Sequence, residues 1–228
     1  MSKGEVGAII VAAGRGERMG RVDKAFALLG GKPVLARVID VFDTCKAVGQ
    51  IVVVVAKKNV ERCQQLVAGE EWSKVTGVCP GGKRRQDSVA AGLKQLKDCD
   101  WVVIHDGARP LVTEELIQRG LAEAMETGAA VAAVPVTDTI KVARNDDTVR
   151  ETPQRDNLWA AQTPQVFRYD IIYEAYRQLT AEVTDDASLV ERLGYKVKLY
   201  MGSYDNIKIT TPDHLGLAQV LWQKYGKK

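Results

Sequence analysis

Residues 51–55 read Ile-Val-Val-Val-Val, an unbroken run of β-branched side chains. Such side chains favour extended backbone, and a run without polar alternation suits a strand covered on both faces. Covering both faces takes helices, and the neighbouring sequence has the pattern for them. Residues 6–13, 74–79, 101–105 and 129–136 read as further strands, with 51–56 among them. Between these lie helical stripes. Residues 33–42 place Val34, Leu35, Val38, Ile39 and Phe42 on one face, and residues 87–97 do the same with Val89, Ala90, Leu93 and Leu96. Thr113 is suited to cap a helix running to Thr127, and Gly128 to stop it. The last helix opens at Thr211-Pro212, a cap followed by proline at the first helical position. Strands alternating with helices predict an α/β fold, a doubly wound, mostly parallel sheet in three layers. At 228 residues this fits one domain over 1–228. The strand order is not readable from the sequence.

Composition narrows the function classes. Hydrophobic residues make up 46% and charged residues 27%, as in soluble globular proteins. The net charge of +3 is small and its bases are scattered, which argues against a nucleic-acid partner. The cysteines Cys45, Cys63, Cys79 and Cys99 form no C-x-x-C pair, so reduced thiols are expected rather than a zinc site. The apolar run at 6–13 is too short to span a bilayer. Arg15, Glu17 and Arg18 follow it at once, as in a strand entering a polar loop. The expectation is a cytoplasmic protein with no membrane partner.

Residues 137–158 break the rhythm. This stretch is polar, with Ile140, Val142 and Val149 nearly its only large apolar residues. Residues 139–144, the turn Asn145-Asp146-Asp147 and residues 148–152 read as a hairpin. A two-stranded hairpin is marginal alone in water. Either it is a mobile loop or it packs on something else, a partner subunit being the obvious candidate.

Several stretches carry possible chemistry. The first strand runs into AAGRGERMG (residues 12–20), followed by Lys24. Small residues there let backbone N–H groups approach a phosphate, and Arg18 and Lys24 add positive charge. Met19 stands where the dinucleotide fingerprint needs its third glycine, and the P-loop ending is absent, so neither motif applies. The competing reading is a glycine turn with solvated bases. The second stretch, GGKRRQDSV (residues 81–89), joins a strand to a helix. Ser88 and nearby backbone groups suit the edge of a base, or Asp87 or Ser88 simply caps the helix. The third, HDGARP (residues 105–110), ends a buried strand, where open α/β sheets bind ligands. Asp106 there suits a metal or a ribose, or else pairs with Arg109 to brace the loop. Two more stretches stand out: residues 159–165, which precede a helix, and residues 205–210, which read as the start of the last strand. In the latter Lys208 alternates with Ile207 and Ile209 and so faces away from the core.

Together AAGRGERMG, GGKRRQDSV, HDGARP, PVTDTIK, LWAAQTPQ, TDDAS and DNIKIT, in this order along nearly the whole chain, resemble the 2-C-methyl-D-erythritol 4-phosphate cytidylyltransferase family. Ribitol-5-phosphate cytidylyltransferases share most of these motifs. The chain departs from the family's pattern at Asp23, often proline, at Lys83, often acidic, and at Gly107, often alanine. The resemblance implies a doubly wound nucleotidyltransferase domain whose protruding β-arm, here residues 137–158, clasps a second subunit. It implies transfer of CMP from CTP to a polyol phosphate with Mg2+ as cofactor.

The resemblance also implies residue roles. Arg18 and Lys24 serve the triphosphate and transition state. Ala12, Ala13, Gly14, Gly16, Gly82 and Ser88 surround the nucleotide, with Asp106 and Gly107 near the ribose. Thr139, Arg155, Lys208 and Arg109 face the acceptor, and Asp106 is the candidate metal ligand, the metal being held mostly through substrate phosphates. A non-catalytic nucleotide-binding module is the rival reading. It would keep the glycine turns without needing Arg18, Lys24 and Lys208 together. A nicotinamide-dependent oxidoreductase is weaker still, because the fingerprint glycine is missing.

Overall fold

A computed structural model describes residues 5–14, 23–178 and 182–225. In chain order the elements are β1 (Val6–Ala12), β2 (Leu28–Leu29), β3 (Lys32–Pro33), α1 (Val34–Thr44), β4 (Gln50–Val55), α2 (Val60–Ala68), β5 (Val75–Pro80), α3 (Arg85–Leu93) and β6 (Trp101–Asp106). There follow α4 (Glu114–Thr127), β7 (Ala129–Pro135), β8 (Val142–Ala143), β9 (Val149–Glu151), β10 (Trp159–Arg168), α5 (Tyr169–Gln178), α6 (Ala187–Arg192), β11 (Lys198–Met201) and α7 (Pro212–Tyr225).

Among the described residues, seven strands form the central sheet in the order β11-β7-β10-β6-β1-β4-β5. All neighbours are parallel except β10, which runs antiparallel to β6 and β7. The mostly parallel sheet expected from the sequence is therefore present. Strand periodicity sorts the core into two layers. Ala8 and Ile10 of β1 and Ile51, Val53 and Val55 of β4 pack under Leu35, Ile39 and Phe42 of α1 and Ile117 of α4. Ile9, Val52 and Val54, one residue out of step, pack under Val89 and Leu93 of α3, Ile172 of α5 and Leu189 of α6. This explains why β4 has no polar face: every residue of it is buried. A smaller cluster joins β2, the start of α1 and α7 through Leu29, Val34, Ile209 and Ala218.

Helix ends follow the expected chemistry. The Thr113 hydroxyl accepts from the Leu116 N–H at 3.2 Å, and Gly128 ends α4 with φ of 82°. Loss of such a cap costs about 1 kcal/mol. Thr211 accepts from the His214 N–H at 3.4 Å, ahead of Pro212. Cys45, Cys63 and Cys79 are buried free thiols, and Cys99 is half-buried. No helix among the described residues is long and apolar enough to cross a membrane.

One expectation is extended and one is corrected. Residues 159–165 do lead to a helix, α5, but as most of β10 inside the sheet, a strand that the sequence did not reveal. Proline and polar residues hide it: Gln162, Thr163, Pro164 and Gln165 interrupt any apolar alternation, and a central-strand proline normally argues against a strand. The register breaks between Ala161 and Gln165, around the cis Thr163–Pro164 peptide. Residues 205–210, expected to begin the last strand, are not a strand. The last strand is β11, earlier in the chain. The Ile209 N–H donates to the Ala108 carbonyl at 2.8 Å, one bond rather than a ladder.

The polar segment after β7 does carry a hairpin, β8 with β9, shorter than the sequence suggested. Its turn is closed by Asp146, which accepts from the Thr148 N–H and hydroxyl, and by the Arg144 N–H donating to the Thr148 carbonyl at 2.8 Å. Ile140, Val149 and Trp159 are exposed.

Candidate active site

From β1 the chain moves outward to β4 and β5, then returns to the other side of β1 as β6. The reversal opens a crevice at the carboxyl ends of β1 and β6, the usual place for a ligand in such sheets. A cavity lies there. Its lining includes Ala12, Ala13 and Gly14 after β1, Lys24, Gly82 and Ser88 after β5, Asp106 and Gly107 at the end of β6, and Lys208. Nine residues singled out from the sequence thus converge from four stretches of chain. A larger cleft, between Glu5, Lys46, Trp101 and Met125, gathers none of these groups.

The walls are close-packed backbone. A methyl group on Gly81 would meet the Ala13 side chain at 2.3 Å, so glycine is what lets the loop after β5 lie against the loop after β1. A methyl group on Gly14 would lie 3.4 Å from Lys24 Nζ, which places the Lys24 ammonium over that glycine. Ser88 braces its own loop: its hydroxyl accepts from the Gly82 N–H and donates to the Arg84 carbonyl, each at 3.2 Å. Asp87 accepts from the Arg84 N–H at 3.1 Å, so it caps α3 as the simpler reading of this stretch supposed.

Asp106 is the only acidic residue among the described residues lining the cavity. Its side chain is 8% exposed and faces three cations. Lys208 Nζ lies 2.7 Å from Oδ2, Arg85 Nε 3.2 Å from Oδ1, and Arg109 Nε 3.7 Å from Oδ2. Burial alone would raise the Asp106 pKa, but Arg85, Lys208 and Arg109 hold it well below the usual carboxylate range. The carboxylate is ionised at neutral pH and already engaged on both oxygens. Asp106 therefore pairs with Arg109, as the bracing alternative supposed, and with Arg85 and Lys208 as well. No cluster of three His, Cys, Asp or Glu side chains fit to hold a metal occurs among the described residues.

A polar layer beneath the cavity fixes these groups. The Thr163 hydroxyl accepts from the Asp106 N–H at 3.0 Å and contacts His105 Nδ1 at 3.1 Å, while His105 Nε2 lies 3.1 Å from the Arg109 carbonyl. Thr163 must therefore donate to Nδ1, and neutral His105 carries its proton on Nε2. Burial lowers the His105 pKa to about 4. Asn206 is fully buried and donates to the Thr163 carbonyl at 2.8 Å, and its own carbonyl accepts from Arg109 Nη1 at 2.7 Å. With Asn206 and Ile209 anchored, the intervening Lys208 is directed at Asp106.

Arg85 was not singled out from the sequence, nor were Gln162, Thr163, Gln165, Asp186 and Asn206. The signals were present in GGKRRQDSV, LWAAQTPQ, TDDAS and DNIKIT, but each of these residues works through a partner distant in sequence. The remaining expected residues lie elsewhere. Gly16 and Arg18 fall outside the described residues. Thr139 and Arg155 are exposed on the hairpin segment, where Arg155 Nη1 donates to the Thr137 carbonyl at 3.0 Å, and neither lines the cavity.

Comparison with known proteins agrees on one family. Residues 6–224 match the family model described as 2-C-methyl-D-erythritol 4-phosphate cytidylyltransferase. The chain is 50% identical over 220 residues to the protein of that name from Dehalococcoides mccartyi, covering 96% of this chain and 97% of the relative. It superposes on the crystal structure of 4-diphosphocytidyl-2C-methyl-D-erythritol synthase from Anaerococcus prevotii with a TM-score of 0.86 at 32% identity, covering 97% of each chain. On the 2-C-methyl-D-erythritol 4-phosphate cytidylyltransferase of Thermus thermophilus the TM-score is 0.76 at 33% identity, covering 96% of this chain and 99% of that one. With a family model matched almost end to end and a relative at half identity, the chain belongs to the 2-C-methyl-D-erythritol 4-phosphate cytidylyltransferase family.

Proposed function

We propose that this enzyme transfers CMP from CTP to 2-C-methyl-D-erythritol 4-phosphate and releases pyrophosphate, a step in isoprenoid precursor synthesis. The observation that carries the reading is that Lys24, Arg85, Lys208 and Asp106 converge on one crevice, walled by the small residues 12–14, 82 and 107. Family membership supplies the reaction class.

The chemistry asks for positive charge before anything else. A phosphate oxygen of the acceptor attacks the α-phosphorus of CTP, so two anions must meet. Two unit charges at 4 Å repel by about 4 kcal/mol at an effective dielectric of 20. The nucleophile is already ionised at neutral pH, so no general base is required. Rate enhancement rests on alignment and charge stabilisation. Lys24 and Arg18 take the triphosphate and the charge that grows on the leaving pyrophosphate. Ala12–Gly14, Gly16, Gly82 and Ser88 enclose the nucleotide. Asp106 and Gly107 face the ribose. Lys208, with three N–H donors, can keep its bond to Asp106 and still donate to the acceptor's phosphate, joined there by Arg155. Arg109 holds Asp106 from beneath rather than facing the acceptor directly.

Mg2+ fits as an ion carried on the triphosphate, because Asp106 is the one carboxylate among the described residues of the cavity and cations already occupy its oxygens. When bound, Mg2+ neutralises phosphate charge. The enzyme acts in the cytoplasm as a homodimer, each hairpin clasping the other subunit.

The test is a pyrophosphate-release assay that crosses CTP, UTP, ATP and GTP with methylerythritol phosphate and ribitol 5-phosphate. The expected result is Mg2+-dependent turnover of CTP with methylerythritol phosphate and little with purine nucleotides. Equal use of ATP, or full activity in excess EDTA, would refute the nucleotide and metal assignments. A higher kcat/KM with ribitol 5-phosphate would move the acceptor and leave the cytidylyltransferase in place.

A further inference from the structure

Behind the cavity wall lies a second buried carboxylate. Asp186 has a side chain 1% exposed and does not line the cavity. Both of its oxygens are used: Oδ2 accepts from Arg85 Nη1 at 2.7 Å, and Oδ1 accepts from the Tyr176 hydroxyl at 2.5 Å. Arg85 turns its Nε to Asp106 Oδ1 at 3.2 Å. One guanidinium thus spans two buried carboxylates, one facing the cavity and one hidden behind it.

Stability alone does not account for this arrangement. An ion pair taken out of water loses hydration, and an apolar pair of similar volume is often as stable or more so. Geometry gives Asp186 a purpose. The turn that carries it is fixed without help from Arg85. Gln165 Oε1 accepts from the Ala187 N–H at 3.2 Å, Gln165 Nε2 donates to Asp185 at 2.9 Å, and Gln86 accepts from the Val183 N–H at 3.3 Å. Arg85, by contrast, is a long side chain on the first residue of α3. Held by Asp186 at Nη1, its fork leaves Nε aimed at Asp106. The Asp106 carboxylate is then gripped by Arg85 on Oδ1 and by Lys208 on Oδ2.

We propose that Asp186, acting through Arg85, is a positioning residue for Asp106, and that the Tyr176 hydroxyl in turn sets Asp186. The inference rests on the reading that Asp106 faces the ribose of CTP. Its consequence is specific: the relay governs how the nucleotide is held and touches the acceptor only weakly. Charge also changes. Arg85, Arg109 and Lys208 stand against Asp106 and Asp186, so neutralising Asp186 leaves a second positive charge unbalanced beside Asp106.

The experiment compares wild type with Asp186→Asn, Tyr176→Phe, Arg85→Lys and the double variant Asp186→Asn/Arg85→Lys. The readouts are kcat, both KM values and thermal unfolding. Asp186→Asn keeps the shape and removes the charge. It is expected to raise the KM for CTP about 10-fold or more, in line with loss of a charge-assisted bond, and the acceptor KM about 3-fold at most. Arg85→Lys should lose as much, because a point charge cannot span both carboxylates as the guanidinium fork does. The double variant should lose no more than Arg85→Lys alone, since both changes break one relay. Unchanged CTP KM and kcat in a folded Asp186→Asn enzyme, or additive losses in the double variant, overturn the proposal. If Asp186→Asn does not fold, Tyr176→Phe decides: a CTP KM raised about 3-fold supports the relay, and an unchanged value overturns it. A wild type inactive with CTP overturns the underlying reading instead, so the two failures are distinct.

Discussion

The Lys208 ammonium lies 2.7 Å from Asp106 Oδ2, joining the segment after β11 to the end of β6 across the mouth of the cavity. On the proposed reading Asp106 serves the nucleotide and Lys208 the acceptor. Lys208→Gln should raise the acceptor's KM about 10-fold or more, the effect of a lost charge-assisted bond, with a smaller change in the KM for CTP. Asp106→Asn should do broader damage, because it leaves Arg85, Arg109 and Lys208 facing one another. Breaking a buried pair costs about 3–5 kcal/mol, which for a chain of this size lowers Tm by roughly 10 °C. Steady-state kinetics and thermal melts read the two effects. An Asp106→Asn enzyme with unchanged Tm would show that the cluster is not a unit.

Lys24 is expected to act in the transition state more than in the ground state. Its ammonium lies over Gly14 at the cavity wall, where a triphosphate would pass. Lys24→Ala and Arg18→Ala should each lower kcat by about 10²-fold or more, as for other lost transition-state donors. The KM for CTP should change less. A variant with near-normal kcat and only a raised KM would be a ground-state binder, and its catalytic assignment would be wrong.

How much of this site could be read from the sequence depended on whether a residue's partner was local. β4 announces itself because Ile51–Val55 is apolar on both faces, and α4 because Thr113 and Gly128 mark its ends. The glycine turns and Lys24 fall at the ends of legible strands. β10 did not show, because Gln162, Thr163 and Gln165 spend their side chains on Asn206, His105 and Asp185 rather than on an apolar core. Arg85 looked like one of three adjacent bases. Its meaning lies in Asp186, 101 residues away. The sheet order was equally hidden, since apolar runs identify strands but not their neighbours.

His105 gives the fold a pH dependence of known sign. Its pKa is lowered to about 4, first by burial and then by the Arg109 and Arg85 charges, while the Arg109 carbonyl and Asp106 pull the other way. In the unfolded chain the ordinary value is about 6.5. Between these values the unfolded state binds the extra proton, so stability rises with pH across the window and is lost as pH falls from about 6.5 to about 4. The full effect is on the order of 3 kcal/mol. Asp106 works in a lower window: its depressed pKa means its contribution is lost only below the ordinary carboxylate range. Thermal melts from pH 4 to pH 8 should show Tm falling on the acid side, and His105→Gln should flatten that slope while lowering Tm at neutral pH. Parallel slopes for wild type and a folded variant would assign the pH dependence to another group.

The hairpin supplies the last test. β8 and β9 are short, the segment is polar, and Ile140, Val149 and Trp159 are exposed. Two strands of this kind hold poorly alone in water, and an apolar face is what a partner would cover. In a two-fold dimer each hairpin crosses to the other subunit by symmetry. Thr139 and Arg155 lie on this segment and outside the cavity lining of their own chain, which suits service to the neighbour's site. Mixing an Arg155→Ala chain with a Lys24→Ala chain separates the two cases. If Arg155 acts in trans, each mixed dimer holds one site with both defects and one with neither, so activity returns to part of the wild-type value. If Arg155 acts in cis, each site of the mixed dimer keeps one defect and activity stays low. Tagged pull-down establishes that subunits have exchanged. Exchange without recovery rules out action in trans, and a monomer by sedimentation at micromolar concentration removes the clasp itself.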